Sequence, residues 1–210
     1  VDGMSIGLRG RKGLMAPAGW DKALDAALAQ EDEITRDRAL SLATQFGDKR
    51  ALDKLTAIAG DAAAKPQARL QAIEALRAAA HAPLAGVALR VVDSADSPAE
   101  LRLTSIRALA STADSAVPDR LLSAYPKLDP QARREVVATL AARPAWAVEL
   151  LAAVEKNQLK TTEVPAETVR QLHTVGDDRL KERITKAWGA IRATPADRLQ
   201  RISQVRKVAS

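Results

Sequence analysis

Arg36, Arg69, Arg102 and Arg133 stand 33, 33 and 31 residues apart. Each is followed four residues later by an aliphatic side chain (Leu40, Ile73, Ile106, Val137) and seven later by Ala43, Leu76, Leu109 or Leu140. Positions separated by three, four and seven residues share one face of a helix, so each arginine opens an apolar stripe. A period of this length is that of stacked helical hairpins, in which each hairpin hides its apolar face against its neighbours instead of in one central core. The expected fold class is all-α, an α-solenoid of about six antiparallel helical hairpins. Composition agrees: hydrophobic residues make up 47% but aromatics only 2%, and the alanines that dominate the rest let helices approach closely.

The apolar pattern places the hairpins. Residues 21–46 form the first. Residues 51–58 with 66–79, 84–92 with 98–110, and 117–125 with 130–142 form the next three. Gly47-Asp48 is expected to stop the first hairpin. Ser97-Pro98-Ala99-Glu100 reads as a capping box with proline at the first helical position; Thr194-Pro195-Ala196-Asp197 nearly repeats it, and Asp129-Pro130 supplies a cap without the returning acid. Beyond residue 142 the repeat fades. Helices are expected over 144–156, from Pro165 to about 174, over 178–191 and over 195–208. The domain reading is a linker or frayed lead-in over 1–19, repeats over 20–142, and atypical capping hairpins of the same solenoid over 143–210. A chain opening on Val1 is expected to be a piece of a longer polypeptide.

Chemistry is sparse. There is no cysteine, which removes disulfides, thiolate metal sites, cysteine nucleophiles and covalent haem attachment through C-x-x-C-H. His81 and His173 have no H-x-x-x-H or H-E-x-x-H companion. The glycine-rich run GLRGRKG at 7–13 lacks the phosphate-loop spacing, and no serine sits in a G-x-S-x-G elbow. Glu31, Asp32, Glu33 and Asp37 cluster at a helix start, where negative charge complements exposed amides, so they read as caps and not as paired catalytic acids. The repeat arginines read as donors to loop carbonyls or inter-repeat acids in preference to a ligand grip. Trp146 and Trp188 read as packing anchors of the final hairpins. No catalytic, cofactor-binding or metal-ligating residue is assigned, and no cofactor or small-molecule substrate is expected.

Residues 177–210 carry nine Lys or Arg against four Asp or Glu, most of the chain's formal net charge of +6. Charge gathered at one end disfavours a nucleic-acid groove, which spreads it along the contact surface. It suits a solvated face, or docking to an acidic partner. No apolar stretch reaches the roughly 18 residues of a membrane span.

The segments KPQARLQAIEAL, SPAELRLTSIRAL and DPQARREVVATL resemble short HEAT-type repeats. The run ARPAWAVELLAAVEKNQL at 142–159, followed by VRQLHTVGDDRLKERITKAWGAIRATPADRLQRI at 169–202, is similar to a region of large bacterial membrane-bound or secreted dehydrogenases. In those proteins a sugar-dehydrogenase-like β-propeller precedes the array and a c-type cytochrome domain follows it. The resemblance implies a non-catalytic spacer between an oxidising and an electron-accepting domain, in a periplasmic or secreted protein. Its partners would be the flanking domains of the same polypeptide, or a separate protein. The alternatives are a free-standing protein-binding module and, from another class, a nucleic-acid-binding or HEAT-like DNA-repair protein; a lyase role has no residue that asks for it.

Overall fold

The computed structural model describes residues 16–189. Among them the chain is helical throughout, with no strand and eleven α-helices. These are α1 (Trp20–Leu28), α2 (Glu33–Gln45), α3 (Lys49–Gly60), α4 (Pro66–Ala78), α5 (Leu84–Asp93), α6 (Ala99–Leu109), α7 (Val117–Ala124), α8 (Pro130–Ala141), α9 (Pro144–Glu155), α10 (Ala166–Val175) and α11 (Asp178–Trp188). The expected helix over 195–208, the Thr194-Pro195 cap and the GLRGRKG run lie outside the described residues, as does most of the 1–19 lead-in.

By their contacts the residues fall into two units, 1–139 and 140–210. In the first, each helix from α1 to α5 packs on the next, and helices two apart also touch: α2 on α4, α3 on α5, α4 on α6 and α5 on α7. Odd and even helices therefore form two rows. All eight aliphatic or alanine positions that follow the repeat arginines are buried, which makes them the source of the apolar stripe. A buried polar link joins α6 to α8: the Thr139 hydroxyl donates to the Ile106 carbonyl at 3.2 Å, 33 residues away and out of solvent. At that end of α6 the amides of Ala110, Ser111 and Thr112 take the carbonyls of Arg107, Ala108 and Leu109. Thr139 thus serves one of the four carbonyls that a helix end leaves over.

Helix boundaries follow local chemistry. The carboxylates of Asp32, Asp48, Asp129 and Asp177 each accept from amides of the helix that follows, an exchange that stabilises a helix start by ~1 kcal/mol. Three helices end in the same paired turn. Gly47 (φ 69°), Ala80 (φ 51°) and Asn157 (φ 58°) stand in the left-handed region, and the amides of Asp48, His81 and Gln158 reach back to Ala43, Leu76 and Ala153. Gly47-Asp48 thus ends one helix and caps the next. Gly176 serves differently. Its φ of −71° suits any residue, but a Cβ there would lie 2.7 Å from both the Leu172 carbonyl oxygen and Leu180 Cδ2, so only glycine fits between α10 and α11.

One expected cap is corrected. Helix α6 starts at Ala99, with Pro98 as its cap residue and no side-chain cap bond. Ser97 therefore lies one position too early to accept from the first turn, and the expected box with Glu100 does not form. Helix α11 stops at Trp188, short of the expected 191.

Residues 140–210 are described through Gly189. Here α11 packs on α9 and on α10 over Trp146, Leu150, Leu151, Leu159, Val169, Leu172, Leu180 and Ile184, all buried.

Candidate interaction surface

Each repeat arginine occupies the fourth position of its helix. A helical side chain leans toward the N-terminus, so the guanidinium lies back over the loop that enters the helix, where the preceding helix has left carbonyls unserved. Arg36 Nη1 donates to the carbonyls of Gln30 and Glu31 at 2.9 and 3.1 Å. Arg102 Nη2 donates to those of Ser94, Ala95 and Ser97 at 3.0, 3.1 and 3.2 Å. Arg133 serves Tyr125 and Pro126 at 3.1 and 2.7 Å, with its guanidinium 5.3 Å from the Tyr125 ring centroid. Arg69 Nε donates to Ala59 at 3.2 Å. The reading of these arginines as donors to loop carbonyls fits Arg36, Arg102 and Arg133, whereas Arg69 reaches the last turn of α3.

The rows are also stitched by charge. Arg50 on α3 meets Asp21 and Asp25 of α1, both at 2.9 Å. Arg120 on α7 pairs with Asp93 at the end of α5, and Arg107 on α6 pairs with Glu135 of α8 at 2.8 Å. The Glu135 carboxylate holds the Arg107 guanidinium above its ordinary range by hydrogen bond and charge. Within the second unit Arg183 grips Glu155 through two bonds of 2.9 Å, and this contact lowers the Glu155 carboxyl and raises the guanidinium. These pairs are largely exposed, so solvent screens them and each adds little to stability; their value is in fixing which residue faces which.

The remaining candidates are placed as follows. Asp32 caps α2 through the Thr35 amide at 3.0 Å and also bonds the Thr35 hydroxyl. Glu31 is exposed, and the side chains of Glu33 and Asp37 lie outside the description. His81 follows the α4 turn, its Nε2 buried without a partner. His173 sits in the last turn of α10. Among the described residues no group of three or more His, Asp or Glu could hold a metal ion, and no helix is long and apolar enough to cross a membrane. Trp146 is buried beneath the Arg143 guanidinium, 5.0 Å from its ring. Trp188 Nε1 donates to the Thr161 carbonyl at 3.1 Å, so the indole anchors the end of α11 as well as packing. Trp20 meets Phe46 edge to face at 4.8 Å. The described part of the basic end, 177–189, is nearly balanced in charge; the excess belongs to residues 190–210, outside the description.

Among the described residues, two of the concavities lie within the first unit. One, about 530 Å³, lies over α2, α3 and α4, with Leu40, Leu55 and Ile58 beneath and Arg38, Lys65 and Gln71 at its rim. The other, about 430 Å³, lies between the α3–α4 and α5–α6 loops. Sequence reasoning had no signal for either, because each joins residues from hairpins that meet only after stacking. Compared with models of known protein families and with curated proteins, the chain matches none.

Proposed function

We propose that the chain is a HEAT-like α-solenoid with no reaction centre, serving as the spacer between a β-propeller dehydrogenase domain and a c-type cytochrome domain of a larger redox protein. What supports the reading is the pattern of contacts within residues 1–139: helices pack on the next and the next but one, as repeat arrays do when every unit touches only its neighbours. Arg36, Arg102 and Arg133 tie their helices to the loops before them, Arg69 ties α4 to the end of α3, and within the rows the pairs Arg50–Asp21, Arg107–Glu135 and Arg120–Asp93 tie helices two apart. Such a body resists bending at every junction, whereas a flexible linker of equal length samples a broad range of spans.

The experiment replaces residues 20–188 of the uninterrupted polypeptide with a Gly/Ser linker. The propeller's turnover with a soluble artificial acceptor stays unchanged, while electron delivery to the cytochrome falls. Unchanged delivery overturns the spacer role, and a reading frame with neither flanking domain overturns its redox setting.

A further inference from the structure

The four repeat arginines are unequally served, and the exception marks a cleft. Arg36, Arg102 and Arg133 each spread their donors over two or three carbonyls. Arg69 is only 8% exposed, yet its single bond inside the protein is Nε to Ala59. Its two terminal nitrogens have no acceptor and no carboxylate pairs with it. Neither terminal nitrogen is sealed from the surface, so although the stem is buried the donors open on the cleft.

Arg69 lines the 430 Å³ cleft, and so do Lys65, Arg90 and Ser97. Arg90 Nη2 stands 3.4 Å from where a Cβ on Gly60 would be, which sets that guanidinium beside the end of α3. Neither Lys65 nor Arg90 has a hydrogen-bond or ion-pair partner. Ser97 is 8% exposed, and its hydroxyl, displaced from the capping role by the late start of α6, bonds nothing in the protein. Asp96 is the one acidic residue on the lining. Three cations against one acid leave the cleft with an excess of two positive charges.

We propose that this cleft binds a small phosphate monoester. Its donors come from α4, α5 and the loop entering α6, so they converge from several directions, which suits a tetrahedral oxyanion better than the single planar fork that takes a carboxylate. The charge excess matches the −1.5 to −2 of a phosphate monoester near pH 7. Val87, Val91 and Pro66 offer apolar wall to the organic part, and the volume lies within the roughly 300–1,000 Å³ of small-molecule sites. The inference goes beyond the spacer reading and does not depend on it; neither experiment's failure touches the other.

The test titrates the whole chain with inorganic phosphate, with glycerol 3-phosphate and with succinate at constant ionic strength, by calorimetry and amide chemical shifts. Both phosphates bind saturably, glycerol 3-phosphate more tightly, and succinate weakly. Arg90→Gln and Lys65→Gln, which remove side chains with no partner in the fold, each weaken phosphate binding about tenfold, the scale of one charge-assisted hydrogen bond. Lys49→Gln, an equal charge change on an exposed pair with Asp53, leaves it unaltered. No saturable binding, succinate binding as tight as phosphate, or equal weakening by all three variants overturns the site.

Discussion

Arg102→Met tests the loop-clamp role of the arginines most sharply. Methionine retains an unbranched apolar stem and removes the donors. Arg102 Nη2 carries two hydrogens shared among three carbonyls, of which those of Ser94 and Ala95 are exposed and that of Ser97 is partly buried. The exposed pair rehydrate when the guanidinium leaves, at ~0.5 kcal/mol each, while the part-buried carbonyl loses its partner at ~1–2 kcal/mol. The side chain is 15% exposed and its Nη1 stands 4.0 Å from Asp129, which adds a few tenths more. The expected loss is about 2–3 kcal/mol, or a urea midpoint lower by about 1–1.5 M for a slope near 2 kcal/mol/M, read by circular dichroism. Arg36→Met, whose two carbonyls are both exposed, costs less than about 1 kcal/mol. Arg69→Met costs about 1 kcal/mol or less, because it removes a single bond, to Ala59, while the terminal nitrogens already open to solvent. Equal losses at Arg36 and Arg102, or a loss at Arg69 as large as that at Arg102, would refute the reasoning.

Three further outcomes follow from the backbone and the caps. Ala80→Gly stabilises by about 1 kcal/mol, since alanine holds a left-handed position that glycine adopts freely; a lower melting temperature contradicts the φ of 51°. Gly176→Ala destabilises by at least about 2 kcal/mol through the 2.7 Å contacts at Leu172 and Leu180, and a neutral result means that α10 and α11 are not so closely apposed. The amides of Ala132 and Gln131, with Arg102, hold the Asp129 carboxyl below its ordinary value. Its stabilisation is therefore full above the unfolded value near 4 and is lost as pH falls through the lower folded value. The gap in unfolding free energy between the native chain and Asp129→Asn narrows from about pH 5 to pH 2, and a constant gap across that range would exclude the linkage.

The parts of this molecule that repeat were open to reading, because each rests on residues less than a dozen positions apart. An arginine at the fourth helical position with aliphatics four and seven later fixes a face, and aspartate before Pro130 fixes a start. Ser97 misled because a serine before proline supports two starts one residue apart, and only the packed loop chooses between them. Ala80 was invisible: alanine carries no left-handed preference, so its turn is imposed by α4 ending before the next helix. Gly176 falls in the gap between the helices expected to end at about 174 and to start at 178, but the reason for a glycine there, a neighbour occupying the place of its Cβ, is tertiary. The cleft at Arg69 was the least legible. The arginine looks like its three counterparts in the sequence, and what distinguishes it is that fewer carbonyls of the α3–α4 loop turn toward it.

The pairing of Arg50 with Asp21 and Asp25, of Arg107 with Glu135 and of Arg120 with Asp93, like the Thr139 link to Ile106, has no sequence echo at the other junctions. The oily stripes are interchangeable from hairpin to hairpin; the polar fastenings are private to each seam. A module copied or transplanted along the chain would still bury its aliphatics but would meet strangers at its charged edges. Which helix sits beside which is thereby marked in the charged edges as well as in the apolar faces.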